Sequence, residues 1–142
     1  MTTRFNNNTW NENQRWRENN DYTGCLYNTP VYMKDNIPLM AKLYIIEMNN
    51  DTNKILGIGK ILNRVHTDRT YRIYEDGNYN RFTYRGKYRI DKDDIDPVEL
   101  ENIETRLFKS KSHLKRGQGI TAVPDDVIKK YYDFIESLFT TL

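Results

Sequence analysis

The residues best suited to hold a phosphate lie between Phe108 and Thr121, in the run Phe-Lys-Ser-Lys-Ser-His-Leu-Lys-Arg-Gly-Gln-Gly-Ile-Thr. Lys109, Lys111, Lys115 and Arg116 are permanent cations, His113 titrates near neutrality, and Ser110 and Ser112 add hydroxyl donors. Gly117 and Gly119 lack a Cβ, so backbone N–H groups there can approach an anion closely. A solvated turn would use the same residue types. A second basic element upstream tips the reading towards an anionic partner.

That element is the segment Tyr79 to Ile90, which alternates with a period of two. Arg81, Thr83, Arg85, Lys87 and Arg89 fall on one face of the expected strand. Phe82, Tyr84, Gly86, Tyr88 and Ile90 fall on the other. A polar outer face need not carry a single sign, and like charges so close repel. An unmixed row of cations therefore points to phosphate. Cationic strands and loops hold a nucleic-acid backbone, and aromatic rings stack its bases. Trp10, Trp16 and Tyr27 are the candidate stacking residues.

Other chemistries lack their residues. Cys25 is the single cysteine, so an intramolecular disulfide or a cysteine metal cage is excluded, and no activating neighbour adjoins it. His66 and His113 are the two histidines, with no HExxH pattern. Asp91, Asp93 and Asp94 resemble a calcium loop, but the Gly and Glu downstream are out of register. No GxSxG elbow occurs, and Gly57-Ile58-Gly59 sits inside a strand pattern rather than at a strand-to-helix turn. No metal or cofactor is expected. A proton-transfer enzyme using His113, a Tyr and a Lys stays open, in particular a metal-independent ribonuclease with His113 or a Tyr as its proton carrier.

At 142 residues the chain has the size of one domain. Its hydrophobic content is 37% and its charged content 30%, while 18 aromatics, 11 of them tyrosine, argue for a packed core. The net charge of +2 hides a segregated pattern. Lys60 to Arg89 is basic, whereas Asp91 to Glu104 is acidic. No apolar run approaches the roughly 20 residues of a membrane span, and the Asn-rich start has no apolar signal core. The expectation is a soluble intracellular protein, cytoplasmic or nuclear, without a membrane partner.

The elements that must position these groups follow from periodicity. Residues 1 to 20 read as a polar arm, pinned by Trp10 and Trp16, and residues 21 to 142 as a single domain. A short strand is expected around Cys25–Tyr27. A hairpin follows, Lys42 to Met48 against Lys54 to Leu62, with Asn49 to Asn53 as its turn. Gly57 and Gly59, two apart in the second arm, suggest barrel curvature or a ligand floor. Thr70 to Glu75 is the third expected strand and Tyr79 to Ile90 the fourth. Asp96-Pro97 opens a helix with Leu100, Ile103 and Leu107 on its buried face, and a C-terminal helix follows Pro124.

The order Gly24-Cys25-Leu26-Tyr27-Asn28-Thr29-Pro30, then Leu43 to Met48, then Ile55-Leu56-Gly57-Ile58-Gly59-Lys60-Ile61 resembles the PUA-like barrels of the EVE, YTH and ASCH kind. The likeness covers roughly residues 22 to 90. It implies a small barrel in which an aromatic cage receives a flipped, often modified base. The composition also resembles that of proteins of large DNA viruses. Together the readings give an α+β fold: a curved, mostly antiparallel sheet or small PUA-like barrel with flanking helices. Its expected function is non-enzymatic binding of nucleic acid, RNA favoured. Arg81, Arg85, Lys87 and Arg89 would form one phosphate track. Lys109, Lys111, His113, Lys115 and Arg116, with Gly117 and Gly119, would form the other. The alternatives are the ribonuclease and a structural or virion component that binds other proteins.

Overall fold

The computed structural model describes residues 1–34, 36–109 and 114–140. The order of elements is β1 (Thr2–Phe5), α1 (Asn7–Asn19), β2 (Cys25–Thr29), β3 (Lys42–Asn49), β4 (Lys54–Leu62), β5 (Phe82–Gly86), β6 (Tyr88–Asp91), α2 (Pro97–Phe108) and α3 (Asp125–Phe139). The fold is α+β. Four strands form a mixed sheet in the order β1-β3-β4-β6, and β2 pairs with β5 in a second ladder. These ladders do not join into a closed barrel among the described residues. The sheet is mixed because β1 runs parallel to β3, with Thr2 opposite Ile46.

The hairpin forms where its turn chemistry places it, with a register shift between Glu47 and Met48. Both faces of β3 and β4 are covered, which is why they read as nearly continuous apolar runs. On one face, Tyr44, Ile46, Met48, Ile55 and Ile58 pack against Ile103 and Leu107 of α2 and against Val127, Tyr131, Ile135 and Phe139 of α3. The α3 residues recur every fourth position, so they line up as one stripe. On the other face, Ile45, Leu56 and Ile61 meet Leu26, Tyr27 and Tyr84 of the second ladder, with Trp10 and Trp16 of α1 packed on that cluster.

Helix starts follow their capping residues. Asp96 accepts from the N–H groups of Val98 and Glu99, with Pro97 opening α2. Asn6 and Thr9 form a reciprocal capping box on α1. Arg106 reaches Asp126 with two 2.8 Å hydrogen bonds, tying α2 to the start of α3.

Residues 1 to 20 pack onto the rest of the chain: Thr2 and Phe5 are buried in β1, and Asn13 of α1 is buried with its amide donating to the Leu26 carbonyl at 2.8 Å. Two expected elements are corrected. Thr70 to Glu75 is not a strand. Side-chain amides supply its hydrogen bonds instead: Asn28 donates to the Tyr71 carbonyl, while Asn80 accepts from the Ile73 and Tyr74 N–H groups and donates to the Tyr74 carbonyl. Tyr79 to Ile90 is not one strand. It breaks at Lys87, and its halves join different ladders, β5 with β2 and β6 with β4. Consecutive Thr83 and Tyr84 are both buried, so the period of two does not hold.

A basic groove and its neighbours

The break at Lys87 shapes the candidate site. Here β5 leaves the second ladder, β6 enters the large sheet, and the ends of β3 and β4 come alongside. The result is a groove of about 580 Å³ lined by Tyr22, Lys42, Lys60, Ile61, Leu62, Arg64, His66, Arg85, Gly86, Lys87 and Tyr88. Five permanent cations and a histidine share it, and among the described residues no carboxylate lies in the lining. The floor is largely apolar. The Tyr88 ring is 45% exposed, and Lys60 Nζ stands 5.8 Å from its centroid. A glycine is required at position 86, because a Cβ there would collide with the Lys60 carbonyl across the groove floor. Tyr22 closes one side, its hydroxyl donating to the Gly86 carbonyl at 2.8 Å; burial pushes its phenol up to about 12, which keeps it a donor.

His66 is set by Arg85. The Arg85 Nε–H donates to His66 Nδ1 at 3.1 Å, which places the histidine's own hydrogen on Nε2. Burial first, then the charges of Arg85 and Arg64, hold His66 below its ordinary value, with Asp68 opposing them. A histidine depressed in this way is neutral at pH 7. The unfolded chain takes up the proton first as pH falls, so the stability His66 contributes at neutral pH is lost between about 6.5 and its folded value. A bound polyanion acts the other way and favours the proton. Binding of a phosphate chain is therefore expected to strengthen as pH falls from neutral to mildly acid. The logarithmic salt slope should steepen by about 0.7, one added cation on a single strand, in wild type but not in His66→Gln. Equal slopes for both proteins would remove His66 from the site.

Of the first predicted track, Arg85 and Lys87 line this groove. Arg81 is exposed and lies over the Phe82 ring at 5.7 Å. Arg89 turns inward, which corrects its place in an outer row. Its side chain is 8% exposed and pairs with Glu47, 1% exposed, at 2.6 Å, and with Asp91 at 3.0 Å. Tyr27 donates to the same Glu47 carboxylate at 2.6 Å. Burial works against the Arg89 charge, yet Glu47 and Asp91 hold its guanidinium well above the ordinary value.

The glycine-rich loop is described only in part. Lys111 and His113, with Ser110 and Ser112, lie outside the described residues. Lys109 caps α2 and is exposed, as is Arg116. Around Gly117 and Gly119 the chain wraps a cation of the protein itself: Arg4 donates to the carbonyls of Leu114 at 3.0 Å and Gly119 at 2.5 Å. A Cβ on Gly117 would come within 2.9 Å of the Arg4 guanidinium, and Gly119 has φ +68, which explains both glycines. Carbonyls that face inward attract cations, and Arg4 is the cation that these two hold.

Lys115, Gly117 and Gly119 do line a second cavity, of about 340 Å³, together with Tyr27, Asn28 and Asn50. Several of its polar groups are engaged within the fold, while Arg4 Nε and Asn50 Oδ1 are buried without a hydrogen-bond partner among the described residues. Lys115 Nζ donates to Asn53 at 2.7 Å, Asn50 donates to the Lys115 carbonyl, Asn28 is bonded to Tyr71, Asn80 and Thr83, and Tyr27 to Glu47. The three stacking candidates do not converge on it. Trp10 meets Phe5 edge-on at 5.1 Å beneath Arg17 and Arg89, and Trp16 packs on Tyr22 and Tyr71. Both indoles fasten α1 to the core.

Cys25 is 1% exposed, and burial pushes its thiol up to about 12, so it is a packing residue rather than a nucleophile. No group of three metal-ligating side chains stands together among the described residues, and no described helix is long and apolar enough to cross a membrane. The sequence reading missed Lys42, Lys60, Arg64, His66, Tyr22 and Tyr88 as site residues. Lys60 and Arg64 contribute to the basic character of the segment 60–89, but only the strand register shows which of its charges face one another. Compared with family models, with curated proteins and with solved structures, the chain matches none.

Proposed function

We propose that the protein is a non-enzymatic nucleic-acid-binding module that holds phosphates in the basic groove, with RNA as the first ligand to test. One observation carries this reading: Lys42, Lys60, Arg64, Arg85 and Lys87 line one concave surface with no carboxylate in the lining among the described residues. Such a concentration of one sign costs stability through self-repulsion, and phosphates relieve it. Five contacts to a single strand give a slope of log affinity against log salt of about −3.5.

The double reversal Lys60→Glu and Lys87→Glu is expected to lower affinity for a labelled RNA by at least about tenfold and to flatten the slope by roughly 1.5. Both residues lie outside the buried core, so the circular dichroism spectrum should stay native. Unchanged affinity in a folded variant would sink the reading. A protein-interaction role would show instead as stoichiometric capture of an acidic protein that survives nuclease treatment. The ribonuclease reading has one histidine in the groove, but the His66 Nδ1 lone pair is engaged by Arg85, so taking a proton there requires breaking that bond. Metal-independent cleavage of RNA abolished by His66→Ala would overturn the non-enzymatic part of the proposal.

A further inference from the structure

The groove lining also bears on which nucleic acids it suits, an inference that rests on the nucleic-acid reading above. Reading the edge of a base takes groups that donate or accept in a fixed plane: Asn, Gln, Asp or Glu, or an arginine fork that neighbouring groups hold facing a base. Among the described residues the lining contains none of those four residue types. The other polar groups are committed or carry only charge. Tyr22 is bonded to Gly86, Arg85 is held by His66 while lying 5.6 Å from the Tyr71 centroid, and His66 keeps one free donor. Arg64 is exposed on the rim, and among the described residues no hydrogen-bond partner fixes the plane of its fork.

What the floor does offer is apolar surface. Ile61 and Gly86 lie beneath it, Leu62 is 43% exposed, and the Tyr88 ring is 45% exposed below the Lys60 ammonium. A ring and an aliphatic floor accept the face of any base, because every base has one. In a duplex those faces are stacked and hidden. A duplex could present only its sugar–phosphate ridge, leaving Tyr88 and Leu62 in water. We propose that the groove binds single-stranded nucleic acid without base preference, with phosphates along Lys42, Lys60, Arg64, Arg85 and Lys87 and a base on Tyr88.

Anisotropy with labelled strands of about 12 nucleotides, within the footprint of a small domain, tests this. The probes are oligo-rA, oligo-rU, oligo-dT and a mixed-sequence duplex of the same length. Wild-type affinities for the three single strands should agree within about threefold, and the duplex should bind at least about tenfold more weakly. Tyr88→Ala, at an exposed position, should lose about fivefold or more on every single strand alike. A tenfold preference for one homopolymer, or a duplex bound as tightly as a single strand, would overturn this inference while leaving nucleic-acid binding by the groove in place. Failure of every probe to bind would remove both.

Discussion

Replacing Arg89 with Met is expected to cost about 3–5 kcal/mol of folding stability, the range for removing one partner of a buried ion pair. Glu47 lies on the face of β3 that meets the second ladder, and its carboxylate receives Arg89 Nη2 at 2.6 Å, Arg89 Nε and the Tyr27 hydroxyl. With Arg89 gone, the carboxylate keeps one neutral donor in an apolar surround, and the cost of burying its charge is no longer offset. Removing both charges should be far milder, because a buried pair contributes little beyond an apolar pair of similar shape. Urea unfolding of Arg89→Met, and of Glu47→Leu combined with Arg89→Met, checks this. A double variant no more stable than the single one would show that Arg89 acts by its bulk and not by its pairing.

Gly59→Ala should be nearly as damaging, at about 3 kcal/mol, which for a domain of this size is a loss of roughly 10 °C in Tm. The new Cβ would lie 2.7 Å from Cys25 Sγ and closer still to the Tyr27 hydroxyl. Neither can retreat, since Tyr27 is fixed by Glu47 and Cys25 sits between β4 and β5 with its thiol towards the carbonyls of Lys60 and Gly86. Gly57 meets the same network from the next residue on that face, where a Cβ would come within 2.6 Å of Arg89 Nη2. Paired glycines in β4 thus make room for the polar layer between the two ladders, which replaces barrel curvature or a ligand floor as their explanation. Gly77→Ala is the control: nothing lies within 4 Å of its added Cβ, and a change within about 0.5 kcal/mol is expected. Equal melting temperatures for the two alanine variants would contradict the steric account.

These two substitutions mark the boundary of what the sequence makes legible. The hairpin, α2 and α3 can be read because their signals are local: turn residues between two β-rich runs, a proline after an aspartate, an apolar stripe every third or fourth residue. Arg89 cannot be placed this way, since its partner Glu47 is 42 residues distant and a period of two does not say which face is buried. Tyr71 to Tyr74 has a strand's composition, but Asn28 and Asn80 take the place of a neighbouring strand. The groove is legible only in part. Arg85 and Lys87 belong to a visibly basic segment, whereas Lys42 joins them through the pairing of β3 with β4, where it stands opposite Leu62. The Phe108 to Thr121 run shows the opposite failure. Its composition suits an anion, but a cation from the far end of the chain, Arg4, occupies its glycine turn.

The bridge between Thr2 and Thr121, flanking the same Arg4 contacts, also orders events in time. It closes a loop of 119 residues, whereas β3 and β4 meet across a short turn. Loop closure of that length is entropically costly, so the hairpin can form early and the β1 seam comes late on the way to the native state. Contacts that form after the transition state govern how fast a protein comes apart rather than how fast it assembles. The first strand is therefore expected to act as a latch: weakening Arg4 or Thr2 should raise the unfolding rate in stopped-flow measurements and leave the refolding rate nearly unchanged, whereas weakening the hairpin should slow refolding.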